Sequence, residues 1–224
     1  MSSVIFDIET LGFPLDTFDE VEQEYLLKFA DTDEKRELEI QKFALSALTG
    51  RIIAVAMINP ETMGGKVFFH SDTPDTYFSE DKKTEFISGE EPEILQNFWR
   101  TIQHYDQFIT FNGRGFDCPF VMLRSAIHGI RPTRNLVPYR YEASVHCDLL
   151  DQLTFYGAIK KYNLDFYCKS FGIKSPKSEG ITGLNLGDLF KERKFREIAH
   201  YCLGDVIATA ELFKRWNTFL NIKQ

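Results

Sequence analysis

Short runs of apolar residues, each bounded by glycine, proline or polar residues, predict five β-strands in this chain. These runs lie at 4–8, 51–59, 66–70, 107–111 and 145–150. The first three runs, of which the second and third are joined by a short turn, predict an antiparallel meander. The polar stretch that follows them, 71–90, is predicted to be a loop.

Other segments carry apolar residues at helical spacing, three or four positions apart. The predicted helices lie at 92–105, 119–128, 164–171 and 195–219, and a helical insert lies at 16–45. Because strands and helices alternate after the initial hairpins, the order predicts an α/β protein with a mixed five-stranded sheet flanked by helices. In such sheets the functional site commonly lies where strands end.

The composition excludes several classes of protein. With 224 residues, of which 43% are hydrophobic, the chain can form a sizeable core and is not disordered as a whole. No apolar run approaches the roughly 20 residues that a membrane span requires. The four cysteines are scattered and include no C-x-x-C pair. We therefore predict a cytoplasmic protein with one domain, residues 1–224, and without a signal peptide, membrane contact or disulfide framework.

Charge is distributed unevenly along the chain. Residues 1–100 hold 21 acidic and 9 basic side chains, whereas residues 101–224 hold 12 acidic and 17 basic ones. Ten of the acids fall within 16–39, so the insert at about 14–48 is acidic. The second half offers a basic surface to a polyanionic ligand. Its candidate residues are Arg114, Arg124, Arg131, Arg134, Arg140, Lys160, Lys161, Lys169, Lys174 and Lys177.

Two carboxylates, Asp7 and Glu9, flank Ile8 at the end of the first predicted strand. Since side chains alternate between the faces of a strand, both carboxylates point to one face and repel each other. Such a pair is tolerable when it is protonated, paired or bound to cations, and oxygen ligands suit Mg²⁺ or Mn²⁺. The alternative is a solvated pair of acids at an exposed strand end.

Two further aspartates occupy defined places in the predicted elements. Asp117 follows the fourth strand and is predicted to cap a helix that begins at Pro119, a position that also suits a metal ligand. Asp205 lies within the last helix beside its apolar stripe, where an acid is unfavourable without a partner. The alternative for Asp205 is an exposed helical acid.

Three sequence motifs contain these four acids. They are Phe6-Asp7-Ile8-Glu9-Thr10, Asn112-Gly113-Arg114-Gly115-Phe116-Asp117 and Tyr201-Cys202-Leu203-Gly204-Asp205. In order and rough spacing they resemble the three motifs of the DEDD-type 3′–5′ exonucleases. The sequence most resembles the predicted 3′–5′ exonucleases related to the proofreading domain of family B DNA polymerases. The resemblance extends over about 4–210, includes the segment 145–151, and implies a ribonuclease H-like fold.

The resemblance implies a phosphodiester hydrolase with two divalent metal ions, Mg²⁺ or Mn²⁺. In the family pattern Asp7 bridges both ions, and Glu9 and Asp205 complete the site of the ion that activates water. Asp117 acts at the other ion. Asp148 and Asp151 receive no ligand role.

The third motif of this superfamily has two forms, with a tyrosine four residues before the aspartate or a histidine five before it. This chain has both, Tyr201 and His200. Positions four apart in a helix lie on one face, whereas positions five apart diverge. We therefore expect Tyr201 to lie beside Asp205 and to orient the attacking water by hydrogen bonding. His200 is expected on another face of the helix.

Five residues beside the acids are candidates for substrate contact: Thr10, Leu11, Asn112, Arg114 and Phe116. By analogy, Thr10 and Leu11 lie where a terminal nucleotide would pack. Asn112 would also fix the turn through backbone hydrogen bonds, and Phe116 would also suit the core. The expected substrate is nucleic acid with a free 3′ end, single-stranded, with DNA favoured over RNA.

Alternatives exist at two levels. The acidic insert would repel a phosphate chain. One explanation is that the insert folds away, covers a surface or binds a protein partner. The other is that the substrates are short or approach from the other side of the molecule. The whole chain would alternatively be a catalytically silent nucleic-acid-binding or protein-interaction module on the same fold. The complete set of acids and Tyr201 opposes that interpretation. A third interpretation, coincidental motifs in an unrelated α/β protein, is distinguished by a test of metal binding.

Overall fold

The computed structural model describes residues 2–174 and 185–222 and is built on one mixed β-sheet. The strands are β1 (Ser3–Gly12), β2 (Gly50–Ile58), β3 (Gly65–Phe69), β4 (Thr76–Phe78), β5 (Thr84–Ser88), β6 (Gln107–Thr110) and β7 (His146–Asp148). Their order across the sheet is β4-β5-β3-β2-β1-β6-β7. β1 pairs antiparallel with β2, and β2 with β3, which confirms the predicted meander.

Helices cover both faces of the sheet. They are α1 (Glu20–Leu26), α2 (Asp33–Gln41), α3 (Glu91–Ile102), α4 (Asp117–Ile127), α5 (Leu149–Leu153), α6 (Leu164–Ser170), α7 (Leu186–Lys191) and α8 (Phe195–Phe219). α3 and α4 pack around Phe6 on one face, whereas α5 to α8 pack around Ile5 on the other. Because neighbouring residues of β1 point to opposite faces, this strand lies between the two cores.

The sheet contains two strands more than the five predicted. β4 and β5 lie within 71–90, which the polar pattern assigns to a loop, so that prediction is wrong. β5 runs parallel to β3, and Phe86 at its centre is fully buried. Both strands are short and contain many polar residues, so no apolar run marks them in the sequence. Pairing with β3 orders this segment, and such pairing depends on tertiary context.

The acidic segment leaves the sheet after β1 and returns at β2, and it contains α1 and α2. Its base is tightly closed: the hydroxyl of Thr10 donates a hydrogen bond to the carbonyl oxygen of Ala44 at 2.7 Å, and Phe43 is buried. A Cβ atom at Gly12 would lie only 2.8 Å from that of Phe43, so this close approach requires glycine. The helices above this base expose large side chains, including Tyr25.

No helix in the described residues combines the length and the hydropathy that a membrane span needs. All four cysteines are buried free thiols. Lys177, one of the predicted basic residues, lies outside the described residues.

Candidate active site

Asp7 and Glu9 lie on the side of β1 that faces α8. Phe6 and Ile8, which alternate with them, pack into the core formed with α3 and α4. The thiol of Cys202 on α8 donates to the carbonyl oxygen of Asp7 over 3.5 Å. One carboxylate oxygen each of Asp7 and Glu9 and the Cys202 sulfur all lie within 4.8 Å of one another. The first sequence motif therefore contributes two closely spaced acids between β1 and α8.

Asp117 joins this group where β6 separates from β1. The two strands pair only as far as Ile109, and the backbone N–H of Ile8 donates instead to Oδ1 of Asp117 at 3.1 Å. Asp117 is the first residue of α4, and Phe116 occupies the N-cap position. The prediction that Asp117 caps a helix beginning at Pro119 is therefore wrong. Its carboxylate accepts a hydrogen bond across the sheet opening, from Ile8 of β1, and is also favoured by its own backbone N–H group at the start of α4.

α8 brings Asp205 and Tyr201 to the same place. The charge of Asp205 contributes, after burial, to raising the pKa of both Asp7 and Glu9, so its carboxylate lies within electrostatic reach of both. Burial, and then the charges of Asp205, Glu9 and Asp7, raise the pKa of the Tyr201 hydroxyl far above its usual value. The tyrosine is almost fully buried. The three motifs thus meet, although they are distant in sequence.

The carboxylate cluster is defined as Asp7, Glu9, Asp117 and Asp205, and ionisation is disfavoured at the first three of these acids. Burial first, and then repulsion by the other acids, raise the pKa of Asp7 and Glu9 well above the usual range. Burial raises the pKa of Asp117 to about 7, although backbone N–H groups oppose the shift. Within residues 2–174 and 185–222, no lysine or arginine forms an ion pair with Asp7, Glu9 or Asp117. The carboxylate oxygens of Asp7 and Glu9 are spaced closely enough for a hard divalent cation, whose charge would relieve the repulsion within the cluster.

His200 lies apart from the carboxylate cluster. Its Nε2 atom is 3.3 Å from the hydroxyl oxygen of Tyr77, and its ring centroid is 4.6 Å from that of Phe86. These partners belong to β4 and β5, at the far edge of the sheet from β6 and β7. Helical spacing predicts this divergence from Tyr201. Of the two residues, the structure places only Tyr201 beside the acids.

The turn before Asp117 is held by Asp148, to which the motif pattern gives no role. Its carboxylate accepts hydrogen bonds from the backbone N–H groups of Asn112 and Arg114, both at 2.9 Å. It also accepts from the N–H of Leu150 at 3.0 Å, which caps α5. One side chain therefore fixes a helix start and the turn that positions Asp117. The signal in the sequence is an aspartate between a short strand and a helix, a typical cap position.

Three of the predicted substrate residues support this turn. Asn112 adopts a left-handed conformation with φ of 62°. The guanidinium of Arg114 donates to the carbonyl oxygen of Pro138 at 2.8 Å. Phe116 packs on Phe120, with ring centroids 5.5 Å apart. Contacts of these residues with a substrate stay a prediction.

The other two, Thr10 and Leu11, lead from the carboxylate cluster into a groove of about 750 Å³. The groove lies between the end of α2 and α7, and Arg51 lies within it, 5.0 Å from the ring centroid of Phe190. The hydroxyl of Thr10 is already bonded to the acidic segment, so Leu11 is the better placed of the two to touch a ligand. Thr10 and Leu11 directly follow Glu9 in β1, and the place of a terminal nucleotide in this groove stays a prediction.

Residues 45–221 match a protein family described as a predicted 3′–5′ exonuclease related to the exonuclease domain of PolB. The matched range contains Asp117, Tyr201 and Asp205 and begins after β1. The position of Asp7 and Glu9 beside the other acids is therefore independent of that match. No curated protein sequence matches the chain.

Among solved structures, the chain is similar to a family B DNA polymerase from the hyperthermophilic archaeon Pyrobaculum calidifontis, with 18% sequence identity and a TM-score of 0.62. The match covers 98% of this chain and 25% of the polymerase chain. This likeness confirms the ribonuclease H-like α/β fold. Since the family match extends over most of its length, this chain belongs to the family of predicted 3′–5′ exonucleases related to the exonuclease domain of PolB.

Proposed function

We propose that this chain hydrolyses phosphodiester bonds from the 3′ end of nucleic acid and uses two divalent metal ions, Mg²⁺ or Mn²⁺. The carboxylate cluster carries the proposal, because buried acids with raised pKa values need cations to ionise together at neutral pH. Membership of an exonuclease family supports the same reaction. When bound, such ions lower the pKa of a water and neutralise charge on the attacking and leaving oxygens.

Each acid of the cluster receives a proposed part in holding the metal ions. Asp7 would bind both ions, and its central position is supported by the repulsion it experiences from each of the other three acids. Glu9 and Asp205 would complete the site of one ion, and Asp117 would serve the other. The hydrogen bond from Ile8 to Asp117 limits the rotation of that carboxylate and would keep it oriented.

Tyr201 would orient the attacking water as a hydrogen-bond donor. The raised pKa of its hydroxyl keeps the proton on oxygen at neutral pH, so the group donates a hydrogen bond and is unsuited to remove a proton. Its burial supports this part, because a buried ring has few conformations to lose. The position of His200, beside Tyr77, supports leaving His200 out of the reaction.

We further propose DNA as the preferred substrate, in single-stranded form and with a free 3′ end. The relation of the family to PolB supports DNA over RNA. Residues 1–224 would form a single exonuclease domain, and its acidic insert at about 14–48 would be available to a protein partner. Exposed apolar side chains on that insert, such as Phe29, support this last role.

The test is a cleavage assay on 5′-labelled single strands, DNA and RNA in parallel, with Mg²⁺, Mn²⁺ or EDTA. We expect a metal-dependent ladder that shortens from the 3′ end, faster on DNA, and no ladder with the Asp7→Asn variant. Equal cleavage in EDTA would refute the metal-dependent mechanism. Mn²⁺ binding without cleavage of either strand would favour the silent module on the same fold.

A further inference from the structure

One surface of the molecule exposes a group of large aromatic side chains. We call it the aromatic face, and it lies on the loops around α5 and at the start of α6. Phe155 is 59% exposed and Tyr139 is 71% exposed, far more than an aromatic residue that serves a core. Its exposed members are Tyr139, Tyr141, Phe155, Tyr162 and Phe166, and the half-buried Tyr156 lies beneath them.

Most rings of the aromatic face lie against one another. The ring centroid of Tyr141 is 5.5 Å from that of Tyr139 and 4.6 Å from that of Tyr156. Tyr162 and Phe166 stack with centroids 4.4 Å apart and planes 12° apart. Contact of this kind restricts the rotamers of exposed rings, so they lose little conformational entropy when a ligand stacks on them.

The backbone under this surface is strained. Phe155 and Tyr156 have φ values of 50° and 59°, in the left-handed region that bulky residues rarely adopt. Backbone conformations of this kind are costly and cluster at binding and catalytic sites. Here the strained turn exposes Phe155 to solvent, so burial of its ring within the chain does not offset the strain.

Basic side chains alternate with the rings. The amine of Lys160 is 5.0 Å from the ring centroid of Tyr162, and the guanidinium of Arg140 is 6.0 Å from that of Tyr156. Two hydrogen bonds from Arg140, at 2.6 and 2.9 Å, hold it to Asp151. Lys161 also lies close enough to Asp151 to help lower its pKa, after the larger effect of Arg140. The cations therefore connect the two groups of rings.

A series of ring contacts leads from the aromatic face toward the carboxylate cluster through Tyr167, which is itself buried. Tyr162 contacts Tyr167 at 6.3 Å between ring centroids, and Tyr167 contacts Phe111 at 5.7 Å, just before the turn that positions Asp117. Cys168, next along α6, has a pKa raised by burial and then by the charge of Asp205. One helix, α6, thus carries exposed rings at its start and reaches the neighbourhood of the cluster.

We propose that the aromatic face binds single-stranded nucleic acid on the 5′ side of the bond to be cleaved. Bases would stack on Tyr141 and Tyr162, and phosphates would lie beside Lys160 and Lys161. That the bound strand leads toward the carboxylate cluster rests on the proposed function. Binding of single strands by the aromatic face does not depend on it. Rings interleaved with cations suit a polyanion whose bases have exposed π faces. The acidic insert would repel such a chain, so the strand approaches from this side.

The test measures binding by fluorescence anisotropy, with the full chain in the Asp7→Asn background and Mg²⁺ present. The probes are 5′-labelled oligothymidylates and oligouridylates of about 4 and about 16 nucleotides, the range of common single-strand site sizes. We expect Tyr141→Ala and Tyr162→Ala each to weaken binding of the longer probes by about 5- to 150-fold. The matched control is Tyr25→Ala on the acidic insert, an exposed tyrosine whose loss should leave affinity unchanged.

Two further measurements separate stacking from damage to the fold. Tyr162→Phe keeps the ring and is expected to keep the affinity. Replacing Lys160 and Lys161 with glutamine should reduce the slope of log affinity against log salt by about 0.7 for each phosphate that the protein no longer neutralises. Unchanged affinity in both alanine variants, or equal losses in Tyr162→Phe and Tyr162→Ala, would overturn the proposal. A wild-type chain that binds the longer probes through these tyrosines yet cleaves nothing would refute only the proposed function.

Discussion

The buried Glu91 and the carboxylate cluster have opposite electrostatics. Glu91, at the start of α3, accepts hydrogen bonds from Arg124 at 2.6 and 2.8 Å and from the N–H of Ile52 at 2.8 Å, and it lies 2.7 Å from His128. Burial opposes ionisation of Glu91, yet these partners hold its pKa below the usual value. In the carboxylate cluster, burial and mutual repulsion act together, and the pKa of Asp7 rises.

Burial opposes ionisation at both sites, and the neighbours of each carboxylate determine whether that opposition is overcome. Glu91 and Glu9 have nearly the same exposure, 6% and 7%. Glu91 has its cation within the chain, so its charge serves the fold. Among the described residues, Asp7 and Glu9 of the carboxylate cluster have no such cationic partner. The repulsion between the acids lowers the stability of the fold, and binding of a metal ion would restore it.

The largest effect is expected from Asp7→Asn. Loss of the proposed shared metal ligand should reduce 3′-end cleavage about a thousandfold or more, because metal ions supply several kcal/mol of transition-state stabilisation. The same change should abolish the Mn²⁺-dependent rise in Tm and increase the Tm of metal-free protein by relieving repulsion. Rates and melting curves with and without Mn²⁺ measure both effects. A variant that cleaves at the wild-type rate would exclude Asp7 from the reaction.

The second-largest effect is expected at Glu91, the carboxylate that stabilises the fold. Glu91→Gln should lower the free energy of unfolding by about 3–5 kcal/mol, because it leaves the buried Arg124 without its counter-charge. Urea unfolding in metal-free buffer measures the change. The matched control is Glu9→Gln, which removes a repelled charge and should leave stability equal or higher. Similar losses in the two variants would contradict the electrostatic contrast between the two sites.

The two candidate residues of α8 give a smaller and more specific contrast. Tyr201→Phe removes one hydrogen-bond donor beside the cluster and should lower kcat by about a hundredfold. His200→Ala, which alters a contact with Tyr77, should leave kcat nearly unchanged. Single-turnover cleavage of the same labelled strand compares them. The reverse ranking would assign the water-orienting role to His200.

The smallest effect concerns a buried histidine near the site. Burial, with the charge of Arg114, lowers the pKa of His146 to about 3, and its Nε2 lies 2.9 Å from the Thr110 hydroxyl. The unfolded chain takes up a proton near pH 6.5, so stability falls as pH drops from about 6.5 toward 3. Protonation of the carboxylate cluster stabilises the fold over the same range, so the contribution of His146, a loss of about 1–2 kcal/mol between about pH 7 and pH 5, is measured by urea unfolding as the difference between the wild type and His146→Gln. His146→Gln should remove that loss; an identical pH dependence would contradict this account.

Local patterns predicted much of the fold and the elements on which the candidate site residues lie. The strands of the meander and the helix Phe195–Phe219 have clear periodicity, and each motif lies within or beside such an element. Helical spacing alone separates Tyr201 from His200. These predictions succeed because period and spacing fix which residues share a face.

Features that depend on long-range contacts were not predictable in this way. β4 and β5 form against β3, and Asp148 reaches back 36 residues to Asn112. Asp117 bonds to Ile8, 109 residues away, although its sequence context is that of a helix cap. The aromatic face combines two loop segments whose rings meet only in the folded chain. In each case the residues near in sequence suggest one role for a polar or aromatic side chain, and contacts with residues distant in sequence give it another.

The hydrogen bond between Ile8 and Asp117 has a consequence for mutagenesis. An alanine at position 117 removes a proposed ligand and also leaves a buried N–H unsatisfied, which costs about 1–3 kcal/mol in stability. Asparagine keeps an oxygen for that N–H and removes only the charge. Inactivity of Asp117→Ala would therefore have two causes, the lost hydrogen bond to β1 and the lost metal ligand. Asp117→Asn keeps the hydrogen bond and tests the ligand role alone. At this opening in the sheet, the isosteric amide is the informative replacement.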